Sequence, residues 1–293
     1  MRAPPSRFLL IADDFGLTPD VSAGIAELAR AGRLSGTSAL VTIAGWSEGG
    51  PDVHAVRDAI SLGLHINLTL GTPLGVMPDH APGGRLPPVS HWIARAFTGR
   101  IIEAEVEAEI DRQFEAFEEA VGAPPDHVDG HHHIHALPGI RSALVRTLRR
   151  RFPNGRLPLV RLPGDRASRI LARRASVPKA LLVATLSVRA RAALRAVAAP
   201  TNDGFSGFSG FRLGHPFADE LARFASVPGP AHLVMCHPGH IDADAPTGDP
   251  VEHRRAEELA ALEAEPSLPE RLLHPARHRD ASGTIDWEAV FAD

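Results

Sequence analysis

The sequence predicts an α/β protein whose mostly parallel sheet is closed, or nearly closed, into a (β/α) barrel of about seven strands. Two observations carry this. Short apolar runs alternate with longer stretches of helical period along most of the 293 residues, and such alternation calls for a parallel sheet covered by helices. The polar clusters with chemical potential all fall at or just beyond the C-terminal ends of those apolar runs, the end at which an α/β barrel builds its site. A doubly wound open sheet is the alternative, but no GxGxxG follows the first strand to support a dinucleotide fold.

Phe8–Ala12 reads as a buried strand. Thr18 can cap the helix that follows, Pro19 suits its first turn, and Val21, Ile25 and Leu28 share a face. Ser38–Ala44 is a second strand, Val53–Ile60 a helix and Leu62–Leu70 a third strand. Residues 71–90 are rich in Pro and Gly and read as a long lid or binding loop, with Trp92 placed to hinge or close it. Ile102, Val106, Ile110, Phe114, Phe117 and Val121 form the stripe of a helix over 101–121, with Glu103, Glu105, Glu107 and Glu109 mostly toward water. Strands are then expected at Asp126–His131, Leu159–Leu162 and Ala231–Cys236, and helices at Ile140–Phe152, 177–198, Phe217–Ala225 and Val251–Glu265. No repeat interrupts the pattern, and residues 1–293 are read as one domain.

Composition narrows the function. The formal net charge is −4, with 31 Lys+Arg against 35 Asp+Glu, so no basic excess invites nucleic acid. Lys179 is the only lysine, and the single cysteine, Cys236, excludes an intrachain disulfide. The N-terminus lacks the apolar stretch of a secretory signal, and 180-ALLVATLSV-188 is too short to span a bilayer. A cytoplasmic protein with no membrane span is the expectation.

Four clusters bear the chemistry. Asp13 and Asp14 follow the first strand, where extended geometry would aim them differently; an acidic pair at a helix N-terminus is the plainer alternative. His65 lies in an otherwise apolar strand, and a lone strand histidine is ordinarily a core residue. The tract 127-HVDGHHHIH-135 is the least ordinary feature. Alternation in a strand would put His131 and His133 on one side with Asp129, and His132 on the other. Imidazole is the commonest ligand for zinc and related metals, and Asp129 could orient one from behind; a solvated His-rich loop is the alternative. His237 follows an apolar strand and precedes Pro238–Gly239, fit to act as acid or base or to be an ordinary strand-end residue. Arg161 ends a strand, either reaching the site to hold a carbonyl or hydroxyl or lying on the surface beside Asp165. Trp46, Phe205, Phe208 and Phe211 are the aromatics near the expected face, for sugar stacking or for packing.

Taken in order, ADDFG at 12–16, GLHINLT at 63–69, HVDGHHHIH at 127–135 and MCHPGHID at 235–242 resemble the YdjC-like carbohydrate deacetylases, a family that includes the chitooligosaccharide deacetylases. The chain departs from the pattern at Gly130, where the family often has Ser, and at His240. The resemblance implies a distorted TIM-type barrel and one divalent metal held by Asp14, His65 and His131. It implies Asp13 as the catalytic base and His237 as the acid or the stabiliser of developing charge. The reaction implied is removal of an N-acetyl group from an amino sugar or oligosaccharide by attack of metal-bound water. Family habit points to magnesium, whereas two imidazoles and a carboxylate suit zinc. Trp46 and Arg161 are the candidate contacts to a small carbohydrate substrate. A deacylase of another N-acylated amine or glycolipid precursor, a non-haem Fe(II) enzyme and a non-catalytic metal binder are the competing functions. Oligomeric state, and the roles of His132, His133, His135 and His240, are left open.

Overall fold

The computed structural model describes residues 7–47, 52–153, 155–210, 215–241 and 251–293. In chain order the elements begin β1 (Leu9–Phe15), α1 (Pro19–Arg30), β2 (Gly36–Ala39), α2 (Ala44–Ser47), α3 (Val53–Ala59), β3 (Ser61–Ile66), α4 (Val89–Phe97) and α5 (Glu103–Val121). They continue with β4 (His127–Gly130), a 3₁₀ segment His131–Ala136, α6 (Ile140–Arg151), β5 (Leu159–Val160), α7 (Ala167–Arg173), α8 (Val177–Arg195) and β6 (Phe205–Ser206). The remainder is α9 (Phe217–Phe224), β7 (Leu233–Cys236), α10 (Glu252–Ala264), α11 (Leu268–Arg271), a 3₁₀ turn Pro275–His278 and α12 (Trp287–Ala292).

All seven strands pair in parallel, in the order β5-β4-β3-β2-β1-β7-β6. The sheet curls into an open, distorted barrel surrounded by helices. Between its edges runs the segment 200–206. Thr201 bridges Val160 of β5, and β6 lies on β7. The fully buried amide of Asn202 bridges this gap, accepting from Leu162 N (2.7 Å) and donating to the carbonyls of Leu162 (3.0 Å) and Gly204 (2.9 Å). A side-chain amide thus satisfies backbone groups that a regular ladder would have paired.

Every strand residue is buried, because both faces of the sheet are covered. All seven residues of β1 are buried, Asp13 and Asp14 included. Thr18 does cap α1, its Oγ1 accepting from Val21 N at 3.1 Å. β3 ends at Ile66, earlier than the run to Leu70 implies, because the Asn67 carboxamide accepts from Thr69 N and Leu70 N and turns the chain. β2 likewise sits two residues before its expected start. Gly63 permits the closest approach in the sheet, since a Cβ there would lie 2.3 Å from the His127 ring. Among the described residues, no helix is long and apolar enough to cross a membrane.

The Pro/Gly-rich loop is pinned to α5. Glu109, expected to face water, is fully buried; it accepts from Leu74 N and pairs with Arg112. Glu105 accepts from Asp79 N and His80 N. Trp92 is an anchor with no exposed surface, donating Nε1–H to Leu68 O at 2.6 Å and lying 4.6 Å from the His80 ring.

Two buried histidines make the fold acid-sensitive. His80 accepts from Ile102 N at 3.0 Å, and burial, with Arg95 adding to it, pushes its pKa down to about 4. His232 lies 2.9 Å from Ser206 Oγ; burial, assisted by Arg173, holds it at about 3. The unfolded chain takes up these protons near 6.5. Below that value it binds more protons than the native state, so the stability these groups contribute is complete above pH 6.5 and is lost as pH falls toward 4 and 3. The urea midpoint should drop between about pH 7 and 5; an unchanged midpoint would contradict this.

Candidate metal centre

The site sits at the C-terminal ends of β1, β3, β4 and β7. Its first element is an irregularity. The register of β1 against β2 shifts between Ala12 and Phe15, and Asp14 adopts φ +73°. This bulge interrupts strand alternation, so the two adjacent carboxylates reach the same chamber. Left-handed backbone at a non-glycine residue is costly and collects at functional positions.

Asp14 Oδ1 lies 3.1 Å from His131 Nδ1 and 3.6 Å from His65 Nε2. It is buried and has no hydrogen-bond partner among the described residues. One ligand atom from each of Asp14, His65 and His131 falls within 4.8 Å of the others. Two atoms each about 2.1 Å from a tetrahedral cation stand roughly 3.4 Å apart, so the observed separations suit such an ion. The other Asp14 oxygen receives Arg255 of α10 at 2.8 Å. Burial raises the Asp14 pKa, but His131 and Arg255 outweigh it and hold the carboxyl well below its usual range.

His65 is oriented from behind. Its Nδ1–H donates to Asp129 Oδ1 at 2.5 Å, which leaves Nε2 with its lone pair toward Asp14. Asp129 also accepts from Ser38 Oγ at 2.6 Å and from Arg161. Asp13, His65 and Asp129 make a second close group, but these donors already occupy Asp129, and Arg161 grips both oxygens of Asp13 at 2.6 and 2.9 Å. Burial opposes ionisation of Asp13, yet Arg161 and His65 lower its pKa to about 2.

Arg161 corrects an expectation. It is neither a surface charge beside Asp165 nor open to a substrate, because its side chain is 0% exposed and pairs with Asp13 and Asp129. Asp165 pairs with Arg169 and Arg173 instead. Trp46 is half-buried, stacked on core Phe117 at 6.1 Å and edge-on to Phe15 at 6.3 Å. Phe205 and Phe208 are buried and pack edge-on to His133; Phe211 lies outside the described residues.

The histidine tract is not an extended strand. Pairing with β3 ends at Gly130, and the chain turns into the 3₁₀ segment with His132 and His133 left-handed (φ +55° and +57°). His131 and His133 therefore do not share a side with Asp129 by alternation. Gly130 allows the turn, since a Cβ there would meet His135 Nδ1 at 2.9 Å. His135 donates Nε2–H to Arg161 O at 2.8 Å, and His132 Nδ1 lies 3.0 Å from Thr69 Oγ1.

His237 follows β7, and its backbone N–H donates to Glu258 at 2.6 Å. Burial pushes its pKa down to about 4 against the pull of Asp14 and Asp13, and burial raises that of Glu258 to about 7. His240 points away, to Glu27 at 3.1 Å. Arg255 and Glu258 escape a reading of α10 as a merely charged helix. The available signal is their spacing: both fall on the stripe that also buries Leu259 and Leu262.

A profile of the family described as YdjC-like protein matches residues 7–272. The chain belongs to the YdjC-like family. This YdjC-like chain is 32% identical over 235 residues to the chitooligosaccharide deacetylase of Yersinia pestis, covering 79% of the chain and 81% of that protein. It is 37% identical over 139 residues to the chitooligosaccharide deacetylase of Serratia marcescens, covering 44% of the chain and half of that protein. The fold also resembles a crystal structure from Enterococcus faecalis V583, of a protein described as a candidate for cellobiose-phosphate cleavage. That match has a TM-score of 0.64 at 20% identity and covers 91% and 93% of the two chains. The YdjC-like fold thus comes with a candidate site for a divalent cation.

Proposed function

We propose that the protein is a metal-dependent amide hydrolase that removes the N-acetyl group from an amino sugar or a short N-acetylated oligosaccharide, with residues 1–293 acting as one catalytic unit. The observation that carries this reading is Asp14 Oδ1, a buried carboxylate oxygen with no hydrogen-bond partner among the described residues, facing two imidazole nitrogens. Relatives named chitooligosaccharide deacetylases support the substrate class.

Asp14, His65 and His131 would hold the cation, zinc by ligand chemistry or magnesium by family habit. Such an ion lowers the pKa of water and polarises a carbonyl oxygen. Asp13 takes the proton of the attacking water. Arg161 keeps that carboxylate ionised and fixes both of its oxygens, and so acts as a positioning residue. His237, a neutral imidazole at neutral pH, passes to the departing amine the proton that Asp13 took from the water, or steadies the developing oxyanion. Asp129 sets the tautomer of His65. Trp46 has no assigned contact with the sugar, its packing on Phe117 and Phe15 accounting for its position.

The test is acetate release from N-acetylglucosamine oligomers by chelator-stripped protein given Zn²⁺, Mg²⁺, Mn²⁺ or Co²⁺. Release is expected with at least one metal, and His131→Ala should lower it at least about a hundredfold while losing stoichiometric metal. A filled site with no release would move the substrate to another acylated amine. Failure to retain any divalent ion would remove the metal-dependent reading.

A further inference from the structure

The charge of this chain is segregated. Eight cationic side chains and no carboxylate lie between Arg166 and Asn202, in a protein of net charge −4. The segment builds α7 and α8. Some of these charges are used internally: Arg173 turns inward to Asp165, and Arg169 and Arg191 lean toward Asp203 at 3.8 and 4.0 Å. Arg166, Arg174, Arg189 and Arg195 are exposed, and no described carboxylate pairs with them. Arg141 of α6 extends the surface; burial and the like charge of Arg189 depress its pKa.

The same two helices expose aliphatic side chains. Leu182 and Val188 of α8 are 67% and 69% exposed, and Leu171 of α7 is 55% exposed. Leu182, Thr185, Val188 and Ala192 fall at helical spacing on one outward stripe, with Arg189 and Arg195 along its flank. Beside it, between α8 and the 164–167 segment, lies a cavity of about 710 Å³. Its walls include Leu181, Ala184 and Val188 with Arg166, Arg191 and Arg195, and its two carboxylates, Asp165 and Asp203, are engaged by Arg169, Arg173 and Arg191. No helix here is apolar enough to cross a membrane. A helix with uncovered aliphatics, uncompensated arginines and no acid is suited to lie on one.

We infer that the α7–α8 face docks on an anionic lipid bilayer, its aliphatic stripe entering the headgroup boundary and its arginines meeting lipid phosphates. Charge complementarity selects this occupant. A second copy of the chain would set one basic face against another, and neither α7 nor α8 carries an acid to pair across the contact. Single-stranded nucleic acid is held by stacking on aromatics, of which α7 and α8 have none. The cavity adds a recess where aliphatic walls meet Arg166 and Arg195, with which no described carboxylate pairs, beside two aspartates already engaged by other arginines. The docking face includes none of the proposed metal ligands, though Lys179 at the start of α8 lies over Phe208, which in turn packs against His133.

The test is flotation of the full chain with phosphatidylglycerol–phosphatidylcholine vesicles, against phosphatidylcholine alone, at low and high salt. Binding is expected only to the anionic vesicles, and salt should reverse it. Each arginine removed from the face should weaken partitioning about fivefold, so Arg174→Gln, Arg189→Gln and Arg195→Gln together should weaken it roughly a hundredfold. A separate Leu182→Ser/Val188→Ser variant should weaken binding with its charge intact, and circular dichroism would verify that both variants keep the fold. Absence of binding by the folded wild-type chain at low salt overturns the inference, as does equal binding to neutral vesicles. Light scattering that shows a dimer split by Leu182→Ser/Val188→Ser would make this face a self-interface and overturn it too. Retention by duplex DNA without vesicle binding has the same consequence.

Discussion

Asp13→Asn is expected to lower kcat by about a hundred- to ten-thousandfold while the protein still binds one divalent ion. The substitution changes one atom and no ligand of the proposed centre. Asp14 keeps its contact with Arg255, and His65 keeps its bond to Asp129. What is lost is an ionised acceptor that Arg161 holds by both oxygens. An amide in that place cannot take a proton from water at neutral pH. KM should change far less than kcat, because the group acts on the water rather than on the sugar. Metal analysis beside acetate release separates the outcomes. Activity within tenfold of wild type, with metal bound, would assign the base elsewhere or make the protein a metal binder without this chemistry.

Arg161→Met should give the largest loss of stability, about 3–5 kcal/mol, read as a fall in the urea midpoint. Methionine replaces much of the volume but none of the charge, leaving the carboxylates of Asp13 and Asp129 buried beside each other. The cost is therefore that of two stranded charges rather than the net worth of an ion pair. Arg161→Met/Asp13→Asn should be less destabilised than the two single changes added together, since one stranded charge is removed with its partner. A single variant within about 1 kcal/mol of wild type would show that water or a rearranged side chain replaces the guanidinium.

Much of this arrangement was legible before any coordinates. Apolar runs marked the strands, and the end rule for parallel sheets brought Asp13, Asp14, His65, His131 and His237 to one face. Backbone conformations set by tertiary structure were not legible. Nothing local announces that Asp14 is left-handed or that strand geometry stops at Gly130, because the loss of a partner strand ends the ladder there. α4 and α7 were missed because their short apolar stripes adjoin loops rich in Pro, Gly or Arg. β6 hid inside the repeated Gly-Phe-Ser segment. Arg161 was left between a site contact and a surface charge because its partners, Asp13 and Asp129, are distant in sequence, and only they make its burial tolerable.

The strand order also constrains how the chain comes together during synthesis. β1 is made first but lies between β2 and β7, so one of its edges has no partner until residues near 233 emerge. At roughly 5–20 residues per second, the ribosome needs several seconds to pass from β5 to β7. Through that interval Leu9–Ala12 presents unpaired backbone, while Asp14 already has His65 and His131 on the same nascent chain but lacks Arg255. The vulnerable interval in the synthesis of this fold therefore lasts until β7 emerges, at an edge made of β1.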